Sequence, residues 1–180
     1  MVYVFLAEGF EIVEALAVVD VLRRAKIETA TVGIGGKAVK SSNGITVTCD
    51  KEENEIGLMD DIEAIVLPGG MPGTINLDNS ATVHSFLEFA DEKKLLIAAI
   101  CAAPSVLGKK GFLKDKKATC FPGFEEYLYG ADYTGGFVEK DSNIITAKGM
   151  GVAVDFGLEI VSYLRDKQLS ESIRKSIQSK

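Results

Sequence analysis

Cys101 ends a short apolar run, Leu95 to Ile100, and helix-compatible residues begin at once after it in the segment LLIAAICAAPSVL. A strand that turns abruptly into a helix lifts the residue at the turn above the sheet and aims the helix's unpaired amides at its side chain. So tight a bend needs small neighbours two positions to either side, and Ala99 and Ala103 stand where G-x-S-x-G elbows carry glycine. A thiol at a helix N-terminus is expected to have a lowered pKa and to serve as a thiolate nucleophile. Cysteine is also a common core residue, so the mark of Cys101 is the coincidence of strand, turn and helix at one position.

A catalytic cysteine usually has histidine as its base. The single histidine, His84, falls inside a helix predicted after Ser80, between Val83 and Phe86, and a Cys-His-Asp triad is not expected. Carboxylates are the remaining bases. Glu11 and Glu14 open the helix after the first predicted strand, and Glu14 belongs neither to its apolar face nor clearly to its solvent face. Such an acid can simply complement the helix dipole. Held in an apolar site, it would instead stay protonated and donate a hydrogen bond to sulfur. Pro68-Gly69-Gly70 reads either as a plain turn or as a place where the Gly70 amide, with that of Ala102, stabilises an oxyanion.

These groups must be positioned by elements the pattern makes legible. Strands are predicted over Val2–Ala7, Thr29–Ile34, Ile62–Leu67 and Leu95–Ile100, and helices over Glu11–Ala25, Ser80–Glu92, from Ala103 to Lys109, and over Val152–Leu164. In the first helix Ile12, Leu16, Val19 and Leu22 fall near one face. Gly35-Gly36 and Asn43-Gly44 signal a hairpin, Ala118–Cys120 a short strand, and Phe137–Lys140 with Ile144–Ala147 a second hairpin. The tail from Ser170 suits either a short helix or a frayed end. Strands alternating with helices predict an α/β fold, a doubly wound parallel sheet sandwiched by helices, with a small β-hairpin. In such sheets sites form beyond the carboxyl ends of the strands, where Ala7-Glu8-Gly9, Pro68-Gly69-Gly70 and Cys101 all lie. The usual order would set the first strand beside the cysteine strand.

At 180 residues, 47% hydrophobic and 26% charged, the chain suits a single domain over residues 1–180. A net charge of −6 works against nucleic acid and anionic membranes as partners. Three widely spaced cysteines, Cys49, Cys101 and Cys120, form neither a disulfide framework nor a metal pair, so no metal and no cofactor is expected. Reduced thiols, no signal-peptide pattern and no membrane-length apolar run predict a cytoplasmic protein.

The elbow AAICAAPSVL, the loop VLPGGMPG, the opening VYVFLAEGFEIVEALAVVDVLRRA and the segment VEKDSNIITAKGMG together resemble the ThiJ/PfpI family, in the branch of the Parkinson-disease-associated deglycase and its bacterial relatives. The resemblance runs in order from Val2 to about Leu164. It implies a flavodoxin-like sandwich, usually a homodimer, whose elbow cysteine is readily oxidised to sulfinate and hydrogen-bonds a protonated glutamate. Cys101 matches the nucleophile, Glu14 the glutamate, and Gly70 and Ala102 the backbone donors. Gly69, Phe121, Met150 and Arg24 match residues that line the pocket, Arg24 as a basic residue of the helix that often packs at the dimer contact. The deglycase has histidine where Phe121 stands, so a role of that histidine as a base is missing here, and it has arginine near Asn43 and proline at Met150, two departures that bear on the pocket's preference for anions.

The family therefore implies an enzyme acting on a small-molecule aldehyde or glycated substrate, of glutathione-independent glyoxalase or deglycase type. A redox sensor or stress-linked chaperone with little turnover is the alternative, and a cysteine peptidase or amidotransferase-like hydrolase a third. The thiazole role attached to older family labels lacks a phosphate cradle.

Overall fold

The computed structural model describes residues 1–59 and 61–179. The chain runs through β1 (Val2–Leu6), α1 (Ile12–Arg24), β2 (Thr29–Gly33), the hairpin β3 (Ala38–Lys40) and β4 (Thr46–Thr48), β5 (Lys51–Glu52) and β6 (Ala64–Leu67). It continues through α2 (Gly73–Asp78), α3 (Ala81–Glu92), β7 (Leu96–Ile100), α4 (Pro104–Lys109), β8 (Lys117–Ala118) and β9 (Asp132–Tyr133). The hairpin β10 (Val138–Asp141) and β11 (Ile144–Ala147), α5 (Ala153–Leu164) and α6 (Lys167–Ser176) complete it.

Seven strands form the main sheet in the order β10-β11-β7-β6-β1-β2-β5, parallel throughout except that β10 runs antiparallel to β11 at one edge. This is the expected helix-covered α/β sheet with a small antiparallel hairpin beside it, β3 with β4. Alternation along β1 splits the core in two. Val2, Val4 and Leu6 pack with α1 and α5, while Tyr3 and Phe5 face α3 and stack on Phe86 at centroid distances of 5.7 and 5.4 Å. Each fully buried aromatic contributes about 2–3 kcal/mol by leaving water, so the two faces lock the sheet between its helix layers.

Several expectations need correcting. The first strand is not beside the cysteine strand, because β6 lies between β1 and β7. In α1 the inward residues include Ala15, Val18, Val19 and Leu22, and Leu16 is exposed. The helix is turned so that Glu14 joins Val18 and Val21 on a buried stripe at i, i+4, i+7 spacing. The strand predicted over Ala118–Cys120 stops at Ala118, because the Thr119 amide donates to the Thr146 side-chain hydroxyl at 2.9 Å instead of to a backbone carbonyl. It pairs with β9, which carries too short a pattern to be foreseen, as does α2. The tail resolves as the helix α6, capped by Asp166 and held by Ser170, whose hydroxyl donates to Leu158 O at 2.8 Å.

Among the described residues no helix is long and apolar enough to cross a membrane, and no group of His, Cys, Asp and Glu is arranged to hold a metal ion.

Candidate active site

The elbow forms as its sequence requires. β7 is wholly buried to Ile100, and Cys101 then takes a φ of 65°, in the left-handed region that side chains rarely occupy. The chain is pinned on both sides of the bend. The Cys101 amide donates to Ala147 O and the Phe121 amide to Cys101 O, each at 2.8 Å, and Ala103 N donates to Ile100 O at 3.0 Å. Ala99 and Ala103 are fully buried, so the space beside the bend admits no larger side chain without rearrangement. Pro104 follows at the first turn of α4, where its missing N–H has no bond to lose.

Cys101 is partly exposed, whereas Cys49 and Cys120 are buried. The amides of Ala102 and Gly70 point at its sulfur and act to lower its pKa, as the elbow predicts. They are outweighed. Burial, then the charge of Glu14 and the hydrogen bond to it, push the Cys101 thiol up to about 12. The expectation of a resting low-pKa thiolate is thus not met, because the sequence gives no measure of how far the sulfur is drawn in beside an acid.

Glu14 is 1% exposed, the first residue of the buried stripe that Val18 and Val21 continue. Glu11, the N-cap, accepts the Glu14 amide at 2.7 Å and fixes where the helix begins. The Gly69 amide donates to Glu14 Oε2 at 2.9 Å. The Cys101 side chain and the Met150 amide also face the carboxyl group, but Oε1 receives no bond of good geometry. Burial is the largest influence and raises Glu14 to about 7, against the opposing pull of Cys101 and Gly69. Below about pH 7 both Cys101 and Glu14 carry a proton, and above it Glu14 is ionised beside a thiol that keeps its own, so the two titrate as a pair.

Glycine at position 69 is what lets the two groups meet. A Cβ there would fall 2.6 Å from Cys101 Cβ and 2.8 Å from Glu14 Oε2. Gly70 has φ 91°, and its loop is docked on the turn after β1 by the bond from Glu11 N to Gly69 O at 2.8 Å. The three strand-end segments picked from the sequence thus converge, with the β6 loop bridging the strands on either side.

Phe121 and Met150 line an open depression of about 480 Å³, together with Phe137, Lys148 and Val152, which the sequence did not single out. They fall within predicted elements or the quoted segment VEKDSNIITAKGMG, but nothing local marks them as sharing one wall, since they come from the flanks of β10 and β11. Arg24 is not brought to the site: it ends α1, roughly 15 Å along the helix from Glu14, and pairs with Asp20 at 2.7 Å. His84 lies against Asp78 O on α3 and takes no part.

Residues 1–163 match the DJ-1/PfpI family. The chain belongs to the DJ-1/PfpI family. It is 37% identical to Protein dj-1beta of Drosophila melanogaster over 180 residues, covering 97% of this chain and 94% of that one. It is 28% identical to a Caenorhabditis elegans protein named glutathione-independent glyoxalase DJR-1.2, over 94% of this chain and 91% of the other. Oxidized DJ-1 of Toxoplasma gondii superposes with a TM-score of 0.94 at 30% identity, covering 99% of this chain and 97% of that structure. Membership in the DJ-1/PfpI family and this likeness establish the flavodoxin-like fold and a DJ-1-type enzyme or stress protein.

Proposed function

We propose that the protein is a cysteine-dependent enzyme that converts reactive 2-oxoaldehydes to 2-hydroxy acids without glutathione. The observation that carries this reading is the pairing of a partly exposed elbow thiol with a buried carboxyl group whose pKa lies near 7, under two converging amides. A base poised near the working pH combines availability with driving force for proton transfer. The name of the DJR-1.2 relative supports the same chemistry.

In this reading ionised Glu14 takes the Cys101 proton as sulfur adds to the aldehyde carbon, and the amides of Gly70 and Ala102 hold the developing oxyanion. Once protonated, the oxyanion is a hemithioacetal. Glu14 then moves the proton of the former aldehyde carbon to the neighbouring carbonyl carbon through an enediol, giving a 2-hydroxy thioester. Water cleaves the thioester, releasing the hydroxy acid and restoring the thiol. The overall change is addition of one water, with no outside oxidant or reductant. Purified protein should turn methylglyoxal into lactate, and Cys101→Ser and Glu14→Gln should each lower the rate at least a hundredfold; undiminished turnover by either variant removes the mechanism.

A redox-sensing role is the second reading, favoured because Cys101 alone of the three cysteines reaches solvent and because the Toxoplasma relative was solved oxidized. Mild peroxide should add two oxygens at Cys101 and none at Cys49 or Cys120, by mass spectrometry. A homodimer is proposed with α1 at the contact, supported by the exposed Val13 and Leu16 on that helix.

A further inference from the structure

We propose that the substrate's ketone side carries an uncharged apolar group of about ring size, seated in the depression walled by Phe121, Phe137 and Met150; the inference rests on the aldehyde chemistry assigned to Cys101. These three side chains are 48%, 70% and 54% exposed, and they gather on one rim rather than scattering over the surface. Exposed large apolar groups clustered beside reacting atoms mark a binding surface.

The depression lies beside the reacting groups, although its wall does not include Cys101 or Glu14. Phe121 is tied to the nucleophile through its amide, which donates to Cys101 O at 2.8 Å. A Cβ added at Gly149 would lie 3.3 Å from the Phe121 ring and 4.0 Å from Glu14 Oε1, so only the bare glycine separates the aromatic wall from the unpartnered carboxyl oxygen. In this proposal a substrate whose aldehyde carbon meets sulfur extends its other end past Gly149 toward Phe121. A methyl group leaves most of this 480 Å³ to water, whereas a ring removes apolar surface from water on both partners.

Charge argues the same way. Lys148 borders the depression, but its Nζ donates to Gly135 O at 3.2 Å and sits 5.7 Å from the Phe137 ring centroid. An anionic substituent would have to draw the ammonium from both partners, and it would enter a molecule of net charge −6.

The test compares phenylglyoxal with methylglyoxal in the wild type, Phe121→Ala and Phe137→Ala, alongside NMR titration of two unreactive ketones, 2-hydroxyacetophenone and hydroxyacetone. Wild-type kcat/KM should favour phenylglyoxal at least about tenfold, the scale on which hydrophobic pockets discriminate. Each alanine variant should lower that ratio at least about threefold, and 2-hydroxyacetophenone should lose affinity in step. A ratio unmoved by both variants, or equal binding of the two ketones, overturns the inference while leaving methylglyoxal turnover as evidence for the reaction. If neither aldehyde is turned over, the reaction fails, and the ketone titration still decides whether the depression selects the aromatic group.

Discussion

The Gly69 amide donates to Glu14 Oε2 at 2.9 Å, joining α1 to the loop that ends β6 and setting the carboxyl group beside Cys101. β6 lies between the strands that lead to the two residues, so the contact depends on this bond across the intervening loop rather than on neighbouring strands. Its consequences can be measured.

If Glu14 is the base, its ionised form is required, and kcat/KM for methylglyoxal should rise with pH through an inflection at about 7. Below that pH the carboxyl group is protonated and the rate should fall about tenfold per unit. In Glu14→Gln the inflection should vanish from the residual rate. An unchanged profile in that variant would assign the inflection to another group.

The same shift affects stability. Burial raises Glu14 above its ordinary 4.5, so between pH 4.5 and 7 the folded state binds more protons than the unfolded chain. Stability should therefore be greatest below pH 4.5 as far as this group is concerned, decline as pH rises through about 7, and level off above. The loss amounts to about 3 kcal/mol. Glu14→Gln removes it. Urea unfolding should show the variant gaining on the wild type between pH 5 and pH 8.

Gly69→Ala would press a methyl group between Cys101 and Glu14, with Ile100 O only 2.9 Å from the new carbon. Misplacing reacting groups by this much should cost about a hundredfold in kcat/KM. Circular dichroism should remain native, which would separate displacement of the pair from loss of fold.

Cys101→Gly should be more stable than Cys101→Ala by about 1 kcal/mol, although neither retains a nucleophile. The reason is the φ of 65° at this position, which glycine adopts freely and alanine does not. Equal midpoints in urea would mean that the elbow relaxes when the thiol is removed, and that its strain belongs to the cysteine rather than to the bend.

The elbow was legible because its signals are local. An apolar run, helix-compatible residues directly after it and small residues at 99 and 103 all act within a few residues of Cys101, and they impose the bend wherever the strand lies. The layered α/β architecture was equally readable from alternating strand and helix periods. The buried face of α1 was not. Ile12, Leu16, Val19 and Leu22 suggest one stripe, yet the helix packs through Ala15, Val18, Val19 and Leu22 with Glu14 turned inward, because the Gly69 amide from 55 positions away offers the carboxyl group a partner.

The sequence by itself determined that a cysteine would stand at the end of a central strand, with glycines and an acid just beyond the ends of other strands, since local sterics and periodicity decide those placements. Only the tertiary structure decided that β6 intervenes and that its loop brings acid and thiol together. It also decided that both are desolvated enough for Glu14 to titrate near 7 and for the thiol to keep its proton. Burial is a property of the whole packed molecule, and no window of residues carries it. The aromatic rim was settled the same way, by three side chains between 121 and 150 that only folding brings to one edge of the site.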